Sequence, residues 1–185
     1  MSVDASIISP YFTDFEEGSD YTEQAETSEC DLITFLAVAQ KVQVDILPIT
    51  WQSARCIIGV GATSTIYEAS INSQPSFAFK CIKYQGGGEL LKTYNFRTLI
   101  NEVTALSQLR GHPNIVELQG ICWDVTADDE VLPVLVLEKA PFGNLYTFLE
   151  RPVGRDLSIP ERLSLSVDIG TAIIHMHSHG MIIRS

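Results

Sequence analysis

Apolar positions change their spacing several times along this chain, and each change marks an element. Residues 1–30 show no period: Ser, Thr, Asp and Glu are interrupted by isolated aromatics at Tyr11, Phe12, Phe15 and Tyr21. One-signed charge without an apolar face predicts a disordered tail, because such a segment buries too little surface to offset its chain entropy. From Asp31 the spacing becomes helical, with Leu32, Phe35, Leu36 and Ala39 on one face and Asp31 placed as the N-cap. Val42, Val44 and Ile46 then alternate with Gln43 and Asp45, which predicts a short strand or extended arm ended by Pro48. Residues 31–54 thus form a helix and an arm whose apolar side chains need cover.

Residues 55–59 and 65–71 read as a hairpin, 76–84 as a third strand, and Gly86-Gly87-Gly88 as a flexible break. Helical spacing returns over 94–110, with Leu99, Glu102, Leu106 and Leu109 on one stripe. Residues 116–124 and 134–137 read as a fourth and fifth strand joined by an acidic turn (Asp128, Asp129, Glu130). Ser158-Ile159-Pro160-Glu161 has the form of a capping box. The helix it opens runs over 159–179, with Leu163, Val167, Gly170 and Ile174 on one face. Leu165, Ile169, Ile173 and Met176 add apolar residues on its other sides, as in a helix meant to be buried.

Charge sharpens the division between tail and body. The net charge is −11, yet residues 1–31 hold nine acids and no Lys or Arg, which leaves fourteen acids against twelve bases elsewhere. The body is nearly neutral and has no basic stripe, so a nucleic-acid partner is not expected. A hydrophobic fraction of 45% is ample for a core, and 185 residues suit one domain with a tail. Cys30, Cys56, Cys81 and Cys122 stand singly, which argues for reduced thiols rather than zinc or a disulfide framework. The acidic N-terminus lacks a signal peptide's basic start, and no apolar run approaches the ~20 residues of a membrane helix. A soluble protein of the cytoplasm or nucleus, without a membrane partner, is the expectation.

The candidate chemistry lies in Ile57-Ile58-Gly59-Val60-Gly61-Ala62-Thr63-Ser64-Thr65-Ile66-Tyr67 and in Phe77-Ala78-Phe79-Lys80. Glycines between β-type runs let backbone N–H groups approach phosphate oxygens, and a lysine one strand later supplies positive charge. A dinucleotide site of the βαβ type is set aside, because there the glycines open a helix, whereas 65–71 reads as a strand. Glu102 is a carboxylate on an apolar stripe. It is either a solvated residue at the stripe's edge or the partner of a buried cation, for which Lys80 is the candidate. His175 and His179 stand one helical turn apart, but no glutamate follows His175 and no third ligand is evident, so His175, His177 and His179 read as ordinary helix-end histidines.

In order, these motifs resemble the protein kinase family. The glycine loop, strand lysine and helix glutamate are followed by Gly111-His112-Pro113-Asn114-Ile115-Val116, similar to the family's connector between its first helix and fourth strand. Glu138-Lys139-Ala140-Pro141-Phe142-Gly143-Asn144-Leu145 is similar to a kinase hinge and the start of the next helix. The resemblance covers residues 55–185 and implies an α+β fold: a small lobe over 55–137 of five antiparallel strands and one helix, a hinge over 138–143, and two large-lobe helices within 144–185, the large lobe being incomplete. The arm at 31–54 is expected to lie across that small lobe.

The resemblance also implies the site. ATP would meet Gly59, Gly61, Ser64 (where the family has a third glycine), Ile66, Ala78, the Lys80–Glu102 pair, Leu137 as gatekeeper, and the backbone of Glu138 and Ala140. His177-Ser178-His179-Gly180-Met181-Ile182 matches the run before the family's His-Arg-Asp, so Ser185 stands where the catalytic aspartate is expected. A serine hydroxyl cannot act as that base at neutral pH. The sequence as read also stops before the asparagine and aspartate that hold magnesium in kinases. The expectation is therefore ATP binding that is weak and independent of magnesium, without phosphoryl transfer. The alternative is a non-catalytic, pseudokinase-like module that binds protein partners through its acidic tail and the apolar helix 159–179, an exposed patch that would also leave the chain marginally stable.

Overall fold

A computed structural model of the chain describes residues 30–50, 56–61, 64–69, 77–83, 89–125 and 129–182. The expectations for the acidic tail, for Gly86-Gly87-Gly88, for Asp128 and for Ser185 lie outside the described residues.

Helix α1 (Leu32–Lys41) starts where the cap residue stands: Asp31 Oδ1 accepts from the Thr34 N–H at 2.8 Å and from its hydroxyl at 2.8 Å. These bonds to Thr34, backbone first, hold the Asp31 carboxyl below its ordinary pKa. Its far end corrects the expected arm. Val44 N–H donates to Ala39 carbonyl at 3.0 Å and Gln43 N–H to Gln40 carbonyl at 3.1 Å, with Gln43 at φ 56. That is a Schellman closure, so the alternation at Val42, Gln43 and Val44 is a helix stop, and Val44 packs in the core.

Strand β1 (Ile46–Thr50) runs through Pro48 instead of ending there. It is an edge strand, where a missing N–H on the open side leaves no ladder bond unmade. The five expected antiparallel strands follow: β2 (Cys56–Val60), β3 (Ser64–Ala69), β4 (Phe77–Ile82), β5 (Leu118–Val125) and β6 (Val131–Glu138). The sheet order is β1-β5-β6-β4-β3-β2, with β1 parallel to β5 and every other pair antiparallel. The sheet is therefore mixed and six-stranded.

Both faces of its centre are buried, which is why β6 reads as an unbroken apolar run. One face carries Ala78, Leu118, Ile121, Leu135 and Leu137, and is covered by Phe96, Leu99 and Val103 of α2 (Glu89–Gln108) and by Phe35 and Ala39 of α1. The other holds Phe79, Cys81, Cys122, Val134 and Val136, with Leu47, Ile49, Tyr67 and Phe77 against them. Burial of one such side chain contributes about 1.5–3 kcal/mol.

After β6 come α3 (Leu145–Glu150), capped by the Asn144 side chain on Thr147 N–H at 2.7 Å, the short α4 (Pro152–Arg155), and α5 (Ile159–Ser178). Gly154 lets α4 fold onto α3, since an added Cβ would lie 2.1 Å from the Phe148 carbonyl oxygen. At the start of α5, Glu161 accepts from the Ser158 N–H at 2.7 Å and hydroxyl at 2.6 Å.

The helix 159–179 is not apolar and open all round. Met176 is fully buried with Ala172 against Ala105, Leu109, Ile115 and Met181, while Leu163, Val167 and Ile174 remain 61–68% exposed. Asn114 fastens this helix to the α2–β5 connector, donating to the Asp168 carbonyl at 3.1 Å and to the Thr171 hydroxyl at 3.0 Å. Among the described residues, no helix is long and apolar enough to cross a membrane.

Candidate functional site

The hairpin β2–β3 closes tightly. Val60 pairs with Thr65, and the Gly61 N–H donates to the Ser64 carbonyl at 2.8 Å. A register shift between Ile57 and Gly59 brings Gly59 opposite Ile66. Neither Gly59 nor Gly61 has a left-handed backbone. A Cβ at Gly59 would stand 3.6 Å from Ile66, and one at Gly61 would stand 3.5 Å from the Ser64 carbonyl, both ordinary contacts. Among the described residues there is therefore room for side chains at both glycines.

Register carries the rest of the site onto one face. On β4, Lys80 lies opposite Ile66 of β3 and Leu135 of β6, and Ala78 lies opposite Leu137. Cross-strand partners share a face, so Ile66, Ala78, Lys80 and Leu137 line the side of the sheet that α2 covers. There Lys80 Nζ donates to Glu102 Oε1 at 2.6 Å and to Oε2 at 2.7 Å, with Lys80 6% and Glu102 8% exposed. Of the two readings of Glu102, the buried ion pair is the one the fold contains. Each charge would be costly here alone, and the two-point contact is what makes their burial tolerable.

At the end of β6, Leu137 is buried and Glu138 is half-buried. The Glu138 N–H donates to the Glu117 carbonyl at 3.0 Å, and the Ala140 carbonyl receives the Gly143 N–H at 3.5 Å. Ser185 lies outside the described residues.

Two contacts were not anticipated from sequence. Lys83, just past β4, donates from Nζ to the Gly61 carbonyl next to the end of β2. Lys139 pairs with Glu68 of β3 and bridges the strand to the segment after β6. Neither is legible in advance, because each depends on which residues the register brings opposite.

Three of the histidines, His112, His175 and His179, lie ring beside ring. The His175 ring lies 4.6 Å from His112 and 4.5 Å from His179. Desolvation first, then the neighbouring His179 and His112, push the His175 pKa below its ordinary value. Among the described residues no group of three or more His, Cys, Asp or Glu side chains is arranged to hold a metal ion.

Comparison with known proteins places this geometry. Residues 53–184 match the protein kinase domain family. The wall-associated receptor kinase-like 14 of Arabidopsis thaliana is 31% identical over 121 residues, covering 65% of this chain and 15% of that protein. The salt tolerance receptor-like cytoplasmic kinase 1 of Oryza sativa subsp. japonica is 29% identical over 157 residues, covering 82% and 40%.

Among solved structures, the apo GRMZM2G135359 pseudokinase superposes with a TM-score of 0.51 at 25% identity, covering 66% of this chain and 42% of that one. The pseudokinase DRIK1 bound to ENMD-2076 gives 0.53 at 22% identity, covering 70% and 51%, a likeness of fold. This chain belongs to the protein kinase family. It spans 15% and 40% of the length of those two curated relatives.

Proposed function

We propose that this chain forms a nucleotide-binding site of the protein kinase type, and that it binds ATP without transferring its phosphate. In this reading the phosphates lie under Gly59 and Gly61 with Lys80 as their cation, held by Glu102. Ser64, Ile66 and Ala78 line the base and sugar, Leu137 closes the back, and the backbone of Glu138 and Ala140 meets adenine. Residues 55–137, 138–143 and 144–185 then act as small lobe, hinge and start of the large lobe.

The observation that carries this reading is a pair of glycines around which the described residues leave room for a side chain, beside a buried lysine two strands away. Bare backbone there suits a ligand that needs close approach. ATP, when bound, brings the phosphate charge that Lys80 would balance. The non-catalytic half of the reading rests on Ser185, which has no carboxylate to accept a substrate proton. It also draws support from a similar fold in a protein named as a pseudokinase.

The test is a titration with ATP, read by thermal unfolding and calorimetry, with and without magnesium. The parent chain is expected to bind in both conditions, Lys80→Ala to lose binding, and Gly59→Ala with Gly61→Ala to lose binding while keeping the parent's stability. Equal binding by parent and Lys80→Ala would sink the proposal. A second reading, a protein-interaction module, is favoured by the exposed stripe Leu163, Val167 and Ile174. It is the one to pursue if no nucleotide shifts the unfolding curve.

A further inference from the structure

Glu102 reaches Lys80 only if α2 sits at the right depth over the sheet, and the segment that fixes its flank precedes the matched domain. Phe35 of α1 is fully buried and meets Phe96 of α2 with ring centroids 6.5 Å apart at 53°. Ala39 is 2% exposed, and Phe35 and Ala39 share one cluster with Leu99 and Val103, the residues three before and one after Glu102. A helix that buries this face against α2 resists its tilting, because moving α2 outward would open an apolar gap.

The same segment is fastened at two further points. Just beyond α2, Arg110 Nη2 donates to the Gln43 carbonyl at 3.4 Å, in the turn that closes α1. The Asp45 carbonyl then accepts the Ile121 N–H at 2.9 Å, and β1 joins the sheet beside β5. Strand β5 is bonded to β6, and β6 to β4, which carries Lys80. One connected path therefore runs from the lysine's sheet to the glutamate's helix through residues 31–50.

We infer that residues 31–50 are a built-in strap that sets α2, with Phe35 as a positioning residue that acts through Glu102. The strap belongs to this chain and lies outside the matched domain, at 53–184. Its effect on ligand affinity rests on the nucleotide-binding reading above, whereas its effect on α2 does not.

The experiment compares the full chain with Phe35→Ala, Phe35→Leu and, as a control on the same helix, Ile33→Ala, whose side chain is 75% exposed. Amide hydrogen exchange is read across α2 and across β4–β6. Phe35→Ala is expected to speed exchange over residues 96–106 about tenfold more than in the sheet, and Ile33→Ala to leave it unchanged. Phe35→Leu is expected to give about two- to threefold, and it carries the test if Phe35→Ala does not fold. An unchanged α2, or acceleration equal in helix and sheet, would overturn the strap, since Phe35 would then be ordinary core.

Binding of a fluorescent ATP analogue is measured alongside. Phe35→Ala is expected to weaken it about fivefold or more, and to add nothing once Glu102→Gln is present. An equal loss in both backgrounds would overturn the action through Glu102. No binding by the parent chain would instead overturn the nucleotide reading and leave the exchange result to decide the strap.

Discussion

The carbonyl oxygen of Asp45 sits where a side chain at Gly120 would begin. A Cβ built on Gly120 would lie 2.7 Å from that oxygen and 2.7 Å from Leu47 Cγ, and the residue has φ +157. Strand β1 is seated against β5 because this one position is bare. Gly120→Ala is expected to lift β1 off the edge and cost about 1–3 kcal/mol, as overpacking does. Urea unfolding of the variant beside the parent measures it, and an unchanged midpoint would show that β1 is not held there.

Removing one charge of the Lys80–Glu102 pair should harm more than removing both. Lys80→Met leaves the Glu102 carboxylate buried without its cation, and the expected loss is about 3–5 kcal/mol. Lys80→Met with Glu102→Leu should recover much of that. Denaturant midpoints for parent, single and double variants form the cycle, and a double variant as weak as the single would contradict the account.

The amide of Asn114 is a cross-link between the connector and α5. Asn114→Ala removes the bonds to the Asp168 carbonyl and the Thr171 hydroxyl. The loss expected is about 0.5–1.5 kcal/mol, the net worth of a hydrogen bond, because the partners on α5 are part-buried or exposed and water can replace the amide. Exchange in α5 should quicken while β4 and β6 stay protected.

Gln43 holds a left-handed backbone, which costs a residue with a Cβ about 1–2 kcal/mol. Glycine escapes that cost but gives more freedom to the unfolded chain, so Gln43→Gly should stabilise by about 0.5–1 kcal/mol net. Thermal unfolding should show a raised midpoint, and a fall would mean that the side chain has a role not visible in its bonds.

Acidity should loosen the packing of His112, His175 and His179. The His175 pKa is lowered from its ordinary 6.5 in the folded chain, so the unfolded chain binds the proton more readily. Its share of stability is thus full above the unfolded value and is lost as pH falls from about 6.5 through the lower folded value. Unfolding midpoints between pH 7.5 and 5 should decline, and the decline should flatten in His175→Phe. An identical slope in both proteins would assign the titration elsewhere.

Local signals carried most of the elements. Asp31 and Ser158 announce helix starts because their caps depend only on residues three positions away. Lys80 and Glu102 could be paired on paper because a carboxylate on an apolar stripe left a buried cation as one of two readings, and the resemblance to the kinase motif order favoured it. What the sequence did not disclose is long-range: the parallel seat of β1 beside β5, the lysines Lys83 and Lys139 that find partners across the sheet, and the side of α5 on which Met176 is covered. Val42, Gln43 and Val44 alternate like a strand yet close a helix, since two-residue alternation over so short a span does not separate the two.

Pro48 has a consequence for the protein in crowded solution. The outer edge of a sheet is a row of hydrogen-bonding groups that a second chain's strand can zip onto. At β1 that row is interrupted by a residue with no N–H to offer, exposed at mid-strand. The edge that anchors the strap is thus also a poor template for intermolecular pairing, and a change of Pro48 to a β-branched residue would complete the row that self-association needs.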